Sequence, residues 1–359
     1  MSQPTVRTIR VADMSGKEYI FSEEEYLLYG DVKDALHHRI DINPKPLRHQ
    51  IVLASSSYTV IEDDSPLPQY DVLRLYILIK EPAWTSKQQE AVMTASCSCV
   101  VFRDILPCDI EAFVWGLDRN ESIKSLYVYM NIAPIIHIIR QSPFLRRLFI
   151  ENTAINISSL SDALRENKTI DELTLQNVLF DDKNIQDFSD MISENTTLTY
   201  LKMNYVNDNG AITLSESLGI NTSLHTLDLS QNNITDDGAI NLAESLKINT
   251  TLIRLYLSDN EITDYGAISL AESLEINTSI RRLHLSHNLI TDDGAIAFAE
   301  SLGINTSVLT LNLARNRISD EGAIILDDSL RINTVIQKLN LKGNRIHNKR
   351  AIISDRIIT

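Results

Sequence analysis

Thr222-Ser-Leu224-His-Thr-Leu227-Asp-Leu229-Ser-Gln-Asn232-Asn-Ile234-Thr-Asp-Asp-Gly238-Ala-Ile-Asn-Leu242-Ala243-Glu-Ser-Leu246-Lys-Ile248-Asn249 is the stretch whose reading decides the fold. Its opening alternates around Leu227 and Leu229, the pattern of a short strand with one buried face. Its close sets Ala239, Leu242, Ala243 and Leu246 on one helical face. The stretch recurs every 28 residues: Asn-Thr falls at Asn221, Asn249, Asn277, Asn305 and Asn333, and Gly-Ala-Ile at Gly210, Gly238, Gly266, Gly294 and Gly322. One strand and one helix cannot bury their apolar faces alone, whereas stacked copies share a continuous core. A stack of this kind is an extended surface without a built-in reaction centre, which points first to binding.

The polar positions of the beat have structural work. Asn232, Asn260, Asn288, Asn316 and Asn344 stand where the chain leaves the strand, and a side-chain amide there can bond main-chain groups left unpaired by the bend. Thr235, Asp236 and Asp237, with Asp264, Asp292, Asp293 and Asp320, precede the helix and suit caps at its positive end. A row of carboxylates also suggests calcium or catalysis, but caps account for it better. The periodic Gly suits a tight loop-to-helix junction with close backbone approach. Asn-x-Ser/Thr triplets at Asn195, Asn221, Asn249, Asn277 and Asn305 would be glycan acceptors in a secreted protein. Their periodicity favours a polar helix-to-strand loop instead.

The motif LxxLxLxxNxIxDxGAxxLAxxL is matched by Leu224, Leu227, Leu229, Asn232, Ile234, Asp236, Gly238, Ala239, Leu242, Ala243 and Leu246. On it the chain resembles the leucine-rich repeat family, specifically its ribonuclease-inhibitor-like subfamily. Upstream the pattern is weaker, traceable through Leu201-Met203, Leu173-Leu175, Leu148-Ile150 and Leu126-Val128. The turn after Met203 is two residues short and has Val206 at its Asn position. The resemblance covers about residues 97–359 and implies an α/β horseshoe solenoid, with parallel strands inside and helices outside. Residues 97–120, with the apolar pattern Ile110, Phe113, Val114 and Leu117 and no consensus strand, and the last copy, with Arg350 in place of Gly, are expected to cap its ends. Asp104 to Ile110 also resembles the start of an F-box helix, which a solenoid cap explains better.

Residues 5–80 follow another pattern. Val6–Val11 and Glu18–Phe21 flank a hairpin signal at Met14–Lys17. Asp31–Ile40 is a predicted helix, Gln50–Leu53 a third strand and Val72–Ile79 a long last strand. That order, with Val32-Lys33, Ile42, Pro44, Arg48 and the Leu73/Leu75/Ile77 ending, resembles a ubiquitin-like β-grasp domain of α+β class. Lys80-Glu-Pro82-Ala-Trp84 replaces the terminal Gly-Gly, so conjugation is not expected. Alternation places Val52, Arg74 and Tyr76 on its candidate protein-binding face, with an ordinary sheet surface as the alternative. The expected domains are thus 1–80 ubiquitin-like, 81–96 linker and 97–359 solenoid.

Composition excludes several functions. A net charge of −15 disfavours nucleic acid and anionic membranes as general partners. No apolar run spans a bilayer and no secretion signal opens the sequence, so a cytoplasmic, intracellular location is expected. Cys97, Cys99 and Cys108 are too few and too oddly counted for a disulfide framework, and lack a fourth ligand for zinc. No phosphate loop, nucleophile elbow or metal motif appears, so neither enzyme activity nor a cofactor is expected.

Recognition should therefore lie where the copies disagree, on the outward strand positions. The last four copies carry bases and no acid in these columns, and Tyr and Arg dominate interface hot spots. Tyr200, Arg254, Tyr256, Arg282, His284 and Lys338 form the candidate concave site for an acidic or mixed protein surface, weighed against a plain solvated strand face. His284 beside His287 suggests metal, but neither has a neighbouring carboxylate in the strand columns, which argues against it. The leading expectation is a monomeric interaction module with a ubiquitin-like head as adaptor. The alternative is an enzyme regulator, either a Ran GTPase activator or a ribonuclease-type inhibitor. The ending Arg356-Ile-Ile-Thr lacks the activator's acidic tail, and a basic concave face is unlike that of ribonuclease inhibitors.

Overall fold

The computed structural model describes residues 121–129, 132–151, 155–348, 352 and 354–359, together with the backbones of five strands upstream. The chain divides into two compact units, Met1–Ile155 and Asn156–Thr359.

In the first unit, β1 (Thr8–Ala12) and β2 (Glu18–Ser22) form an antiparallel hairpin that places Ile9 opposite Phe21. β3 (Val52–Ala54) runs antiparallel to β4 (Arg74–Tyr76), and β4 pairs in parallel with β5 (Cys99–Phe102). This last pairing joins strands on either side of the expected 81–96 linker. β1 to β4 overlap the four expected strands, β4 covering three residues of the expected Val72–Ile79, while the expected helix Asp31–Ile40 lies outside the described residues. Within 97–120, read as lacking the consensus strand, β5 is a strand of another pattern: Val100, Val101 and Phe102 are a β-branched and aromatic run, which favours extended chain. β5 continues in parallel to β6 (Ser125–Val128) and β7 (Arg147–Glu151). Leu126, Val128, Leu148 and Ile150 are buried on alternate positions. Across them Tyr127 and Tyr129 rest on Phe149, with ring centroids 5.3 and 5.8 Å apart.

The second unit repeats one strand and one helix. Its strands are β8 (Glu172–Gln176), β9 (Tyr200–Met203), β10 (Thr226–Asp228), β11 (Arg254–Tyr256), β12 (Arg282–His284), β13 (Thr310–Asn312), β14 (Lys338–Asn340) and β15 (Ile357–Ile358). Each is parallel to the next. One helix precedes each strand from β8 to β14: α1 (Ile157–Glu166), α2 (Asp182–Glu194), α3 (Asp208–Ile220), α4 (Asp236–Ile248), α5 (Asp264–Ile276), α6 (Asp292–Ile304) and α7 (Asp320–Ile332). Leu227, Leu229, Ala239, Leu242, Ala243 and Leu246 are all buried, so both periodicities converge on one core. Paired strands lie about 4.8 Å apart and packed helices about 8–10 Å, so the stack bends with its strand face inward.

Three ladders of side-chain hydrogen bonds run through the stack, each joining neighbouring repeats. At the strand exit, Asn288 Nδ2 donates to Leu285 O at 3.1 Å and to Leu257 O of the preceding repeat at 2.8 Å. Its Oδ1 accepts Ile262 N–H at 3.0 Å. Asn232, Asn260, Asn316 and Asn344 repeat the pattern. At the short turn, Val206 is buried and Asn204 Oδ1 accepts Asn177 N–H at 2.9 Å.

The second ladder sits at the helix ends. Asn277 accepts the N–H groups of Ser279 and Ile280 at 2.9 and 2.8 Å. It donates to Leu246 O and Asn249 O of the preceding repeat at 2.8 and 2.9 Å. The triplets that read as glycan acceptors thus hold buried, hydrogen-bonded amides at Asn195, Asn221, Asn249, Asn277 and Asn305. Asn333 continues the ladder by donating to Leu302 O and Asn305 O, and beyond it Arg356 assumes the donor role, giving hydrogen bonds to Asn333 O, Ile336 O and Leu330 O.

The third ladder revises the capping expectation. Thr263 is the N-cap of α5, yet its side chain makes no capping bond. The carboxylate comes from one repeat back: Asp236 Oδ1 accepts Thr263 N and Gly266 N at 2.8 and 2.9 Å, and Oδ2 accepts the Thr263 hydroxyl at 2.5 Å. Asp208, Asp264 and Asp292 cap the following helices alike. Asp320 closes the series on the N–H groups of His347 and Asn348, both at 2.8 Å, and these bonds lower its pKa. The beat Gly is needed here because a Cβ at Gly266 would stand 2.8 Å from Asp236 Oδ1 and 2.9 Å from Ala239 Cβ.

Candidate functional site

The sheet register sorts the outward side chains into rows. One row reads Glu172, Tyr200, Thr226, Arg254, Arg282, Thr310 and Lys338 from β8 to β14. A second, two residues along each strand, reads Thr174, Lys202, Asp228, Tyr256, His284, Asn312 and Asn340. All six residues singled out from sequence therefore share one face. Arg254 and Arg282 are direct neighbours, as are Tyr256 and His284. Lys338 stands two strands beyond Arg282, and Tyr200 two before Arg254.

Contacts within the rows divide the face. Lys202 pairs with Asp228 at 3.0 Å, which neutralises the acid nearest the arginines. Arg254 donates to Thr226 Oγ1 at 3.1 Å and is half-buried. Arg282 and Lys338 are exposed, and neither has an ion-pair partner among the described residues. Like charges opposed on neighbouring strands are destabilising. Here that cost is left uncompensated across a polar face.

The aromatic groups are set by burial and by this charge. His284 meets Tyr256 edge-on, with centroids 4.6 Å apart at 70°. Partial burial lowers the His284 pKa, and Arg282 and Lys338 lower it further against the pull of Asp228. The imidazole therefore stands neutral beside two cations near pH 7. Tyr200 is raised to about 12, chiefly by burial and then by Asp228, Tyr256 and Glu172, so it stays a hydroxyl donor at any physiological pH.

Sequence reasoning passed over Lys202 and Asp228 as site residues. Their pairing crosses the shortened repeat, where the 28-residue count fails. It also passed over the rim formed at the left-handed residues before each ladder Asn, Asp259, His287 and Arg315, with φ of 56, 56 and 55°. There His287 Nδ1 lies 3.6 Å from Asp259 Oδ1, and its Nε2 lies 2.8 Å from Arg315 Nη1. For the head, Val52 pairs with Tyr76 and Ala54 with Arg74, so Val52, Arg74 and Tyr76 lie on adjacent strands. Their side chains are outside the described residues. An open cleft of about 400 Å3, lined by His225, Thr250, Thr251, Ile253, Thr278, Ser279 and Arg281, lies at the helix-to-strand loops and includes no residue of either row. The strand face is accordingly an open polar surface, suited to a macromolecule more than to an enclosed small ligand.

Residues 221–243, 249–271, 277–299 and 305–326 match the family model described as Leucine Rich repeat, so the core of the second unit consists of leucine-rich repeats. Leucine-rich repeats are in general scaffolds for protein–protein interaction. No curated protein matches the chain. Among solved structures, the Rad7 and Elc1 complex of yeast is similar at 16% identity and a TM-score of 0.44, over 75% of this chain and 77% of that one. An internalin (inlF) from Listeria monocytogenes is similar at 18% identity and a TM-score of 0.38, over 75% and 87%. The tropomodulin C-terminal domain from Caenorhabditis elegans is similar at 15% and 0.35, over 41% and 90%. No helix among the described residues is long and apolar enough to cross a membrane.

Proposed function

We propose that this protein is an adaptor whose leucine-rich-repeat arm binds an acidic or mixed protein surface through the strand face, at Tyr200, Arg254, Tyr256, Arg282, His284 and Lys338. The observation that carries the reading is the set of cations Arg254, Arg282 and Lys338 that share one row on β11, β12 and β14, beside an aromatic pair and with no carboxylate in that stretch of the row. A partner carboxylate between Arg254 and Arg282 would relieve their repulsion, and the Tyr256 and His284 rings would supply rigid contact area. The ubiquitin-like head, with Val52, Arg74 and Tyr76, is proposed as a second, non-conjugated docking element in an intracellular protein that needs no cofactor.

The test is affinity capture with the full chain and with Arg254→Glu/Arg282→Glu/Lys338→Glu. Partners recovered by the native chain should be lost from the triple variant and kept by a Glu321→Lys control in the exposed first turn of α7. Recovery unchanged by the triple variant removes the proposal.

A pH dependence follows from His284. An anion bound beside the imidazole favours its protonated form, so binding takes up a proton and the affinity should rise as pH falls from about 7.5 to 5.5. His284→Gln should flatten that slope, measured by titration calorimetry in buffers of different ionisation enthalpy. The free protein shows the opposite sign. Because the folded pKa lies below the ordinary value of 6.5, the unfolded chain takes the proton more readily. The His284 contribution to stability is thus present above about pH 6.5 and declines as pH falls through the folded pKa.

A further inference from the structure

The helices end in a row of isoleucines. Ile220, Ile248, Ile276, Ile304 and Ile332 are the last residues of α3 to α7 and are 68, 70, 59, 61 and 74% exposed. One exposed isoleucine is ordinary. Five at the same place on successive packed helices form a line. None of the three ladders uses them, and a β-branched residue is a poor choice for a solvated helix end. The position just before each varies freely, as Gly219, Lys247, Glu275, Gly303 and Arg331. Variation occurs beside the row and not in it.

One helical turn earlier stands Glu216, Glu244, Glu272, Glu300 or Asp328, all exposed, and residues four apart share a helix face. Lys247 pairs with Glu244 at 2.6 Å and Arg331 with Asp328 at 3.1 Å. Glu216, Glu272 and Glu300 have no ion-pair partner among the described residues. An apolar line thus runs beside an acidic one.

We propose that this helix-end row docks a basic amphipathic helix of a partner protein. Charge decides the occupant, since a second copy would bring an acidic row against an acidic row and an anionic bilayer would be repelled alike. Geometry agrees. Packed helices recur about every 8–10 Å, and a helix rising 1.5 Å per residue returns to the same face about every seven residues, or ~10 Å. A helix with apolar residues at heptad spacing and Lys or Arg along one flank presents one apolar side chain to each isoleucine. The site is separate from the strand face and does not depend on it.

The probe is a fluorescent helical peptide of about 21 residues, with leucine at heptad spacing and Lys and Arg flanks, titrated with the full chain. Its twin has Glu flanks. The basic peptide should bind saturably and the acidic one should not. Its dissociation constant should rise at least about tenfold in Ile248→Ser/Ile276→Ser/Ile304→Ser and in Glu272→Lys/Glu300→Lys. It should be unchanged in Arg282→Glu/Lys338→Glu. Thermal melts confirm that each variant is folded, as expected for exposed positions. Equal binding of both peptides, or a constant unmoved by the serine variant, overturns the proposal. Self-association or phosphatidylserine-vesicle binding that the serine variant abolishes overturns the assigned occupant.

Discussion

Asn288→Ala should lower the unfolding free energy by about 3–5 kcal/mol, the largest single effect expected in this chain. The amide is 5% exposed and serves groups in two repeats. Its loss strands Ile262 N–H and leaves Leu257 O and Leu285 O short of a donor, all three in a site sealed from water. Each buried unsatisfied group costs about 1–3 kcal/mol. Asn344→Ala removes similar bonds from a half-buried site at the end of the ladder, where water can replace them, and should cost less than half as much. Urea unfolding followed by circular dichroism measures both. A loss below about 1 kcal/mol for Asn288→Ala would show that the ladder is not what holds the repeats in register.

The same substitution should act with opposite sign at two glycines. Gly266→Ala drives a methyl to 2.8 Å from Asp236 Oδ1 and 2.9 Å from both Ala239 Cβ and Ile262 Cγ2, two of which are backbone-fixed or core atoms. The cost is overpacking plus a loosened cap, about 2–4 kcal/mol. Gly303→Ala meets nothing within 4 Å and lies within α6, so it gains helix propensity of about 0.5–1 kcal/mol. Thermal melts of the two variants distinguish a glycine placed for close approach from one that is merely tolerated. A similar shift for both would remove the close-packing account of the beat.

Periodicity made the scaffold legible because it reports the class of each position: Leu for the core, Asn for the turn, Asp for the cap, Gly for the junction. It could not report which copy a side chain serves. Asp236 stands one residue after Thr235 and 27 before Thr263, and both relations recur in every repeat. Only packing shows that the second is the bond that forms. The outward positions of Lys202 and Asp228 follow from the same strand alternation that places Tyr200, but their pairing does not, because it spans the shortened turn and departs from the 28-residue step. Arg356 was illegible as a cap because a guanidinium there does the work of an amide, with no shared spacing to mark it. The six strand-face residues could be found because alternation in a strand is independent of the repeat length. The isoleucine row could not, because in sequence an exposed isoleucine looks like a buried one.

The central claim is that invariant positions build the scaffold and variable strand positions do the recognising. It is tested most directly by measuring partner affinity and thermal stability on one preparation of Arg254→Glu/Arg282→Glu/Lys338→Glu. The account predicts an affinity loss of at least about thirtyfold, equivalent to one hot spot of about 2 kcal/mol, with a melting temperature no lower than that of the native chain. Native affinity in the folded triple variant would contradict it.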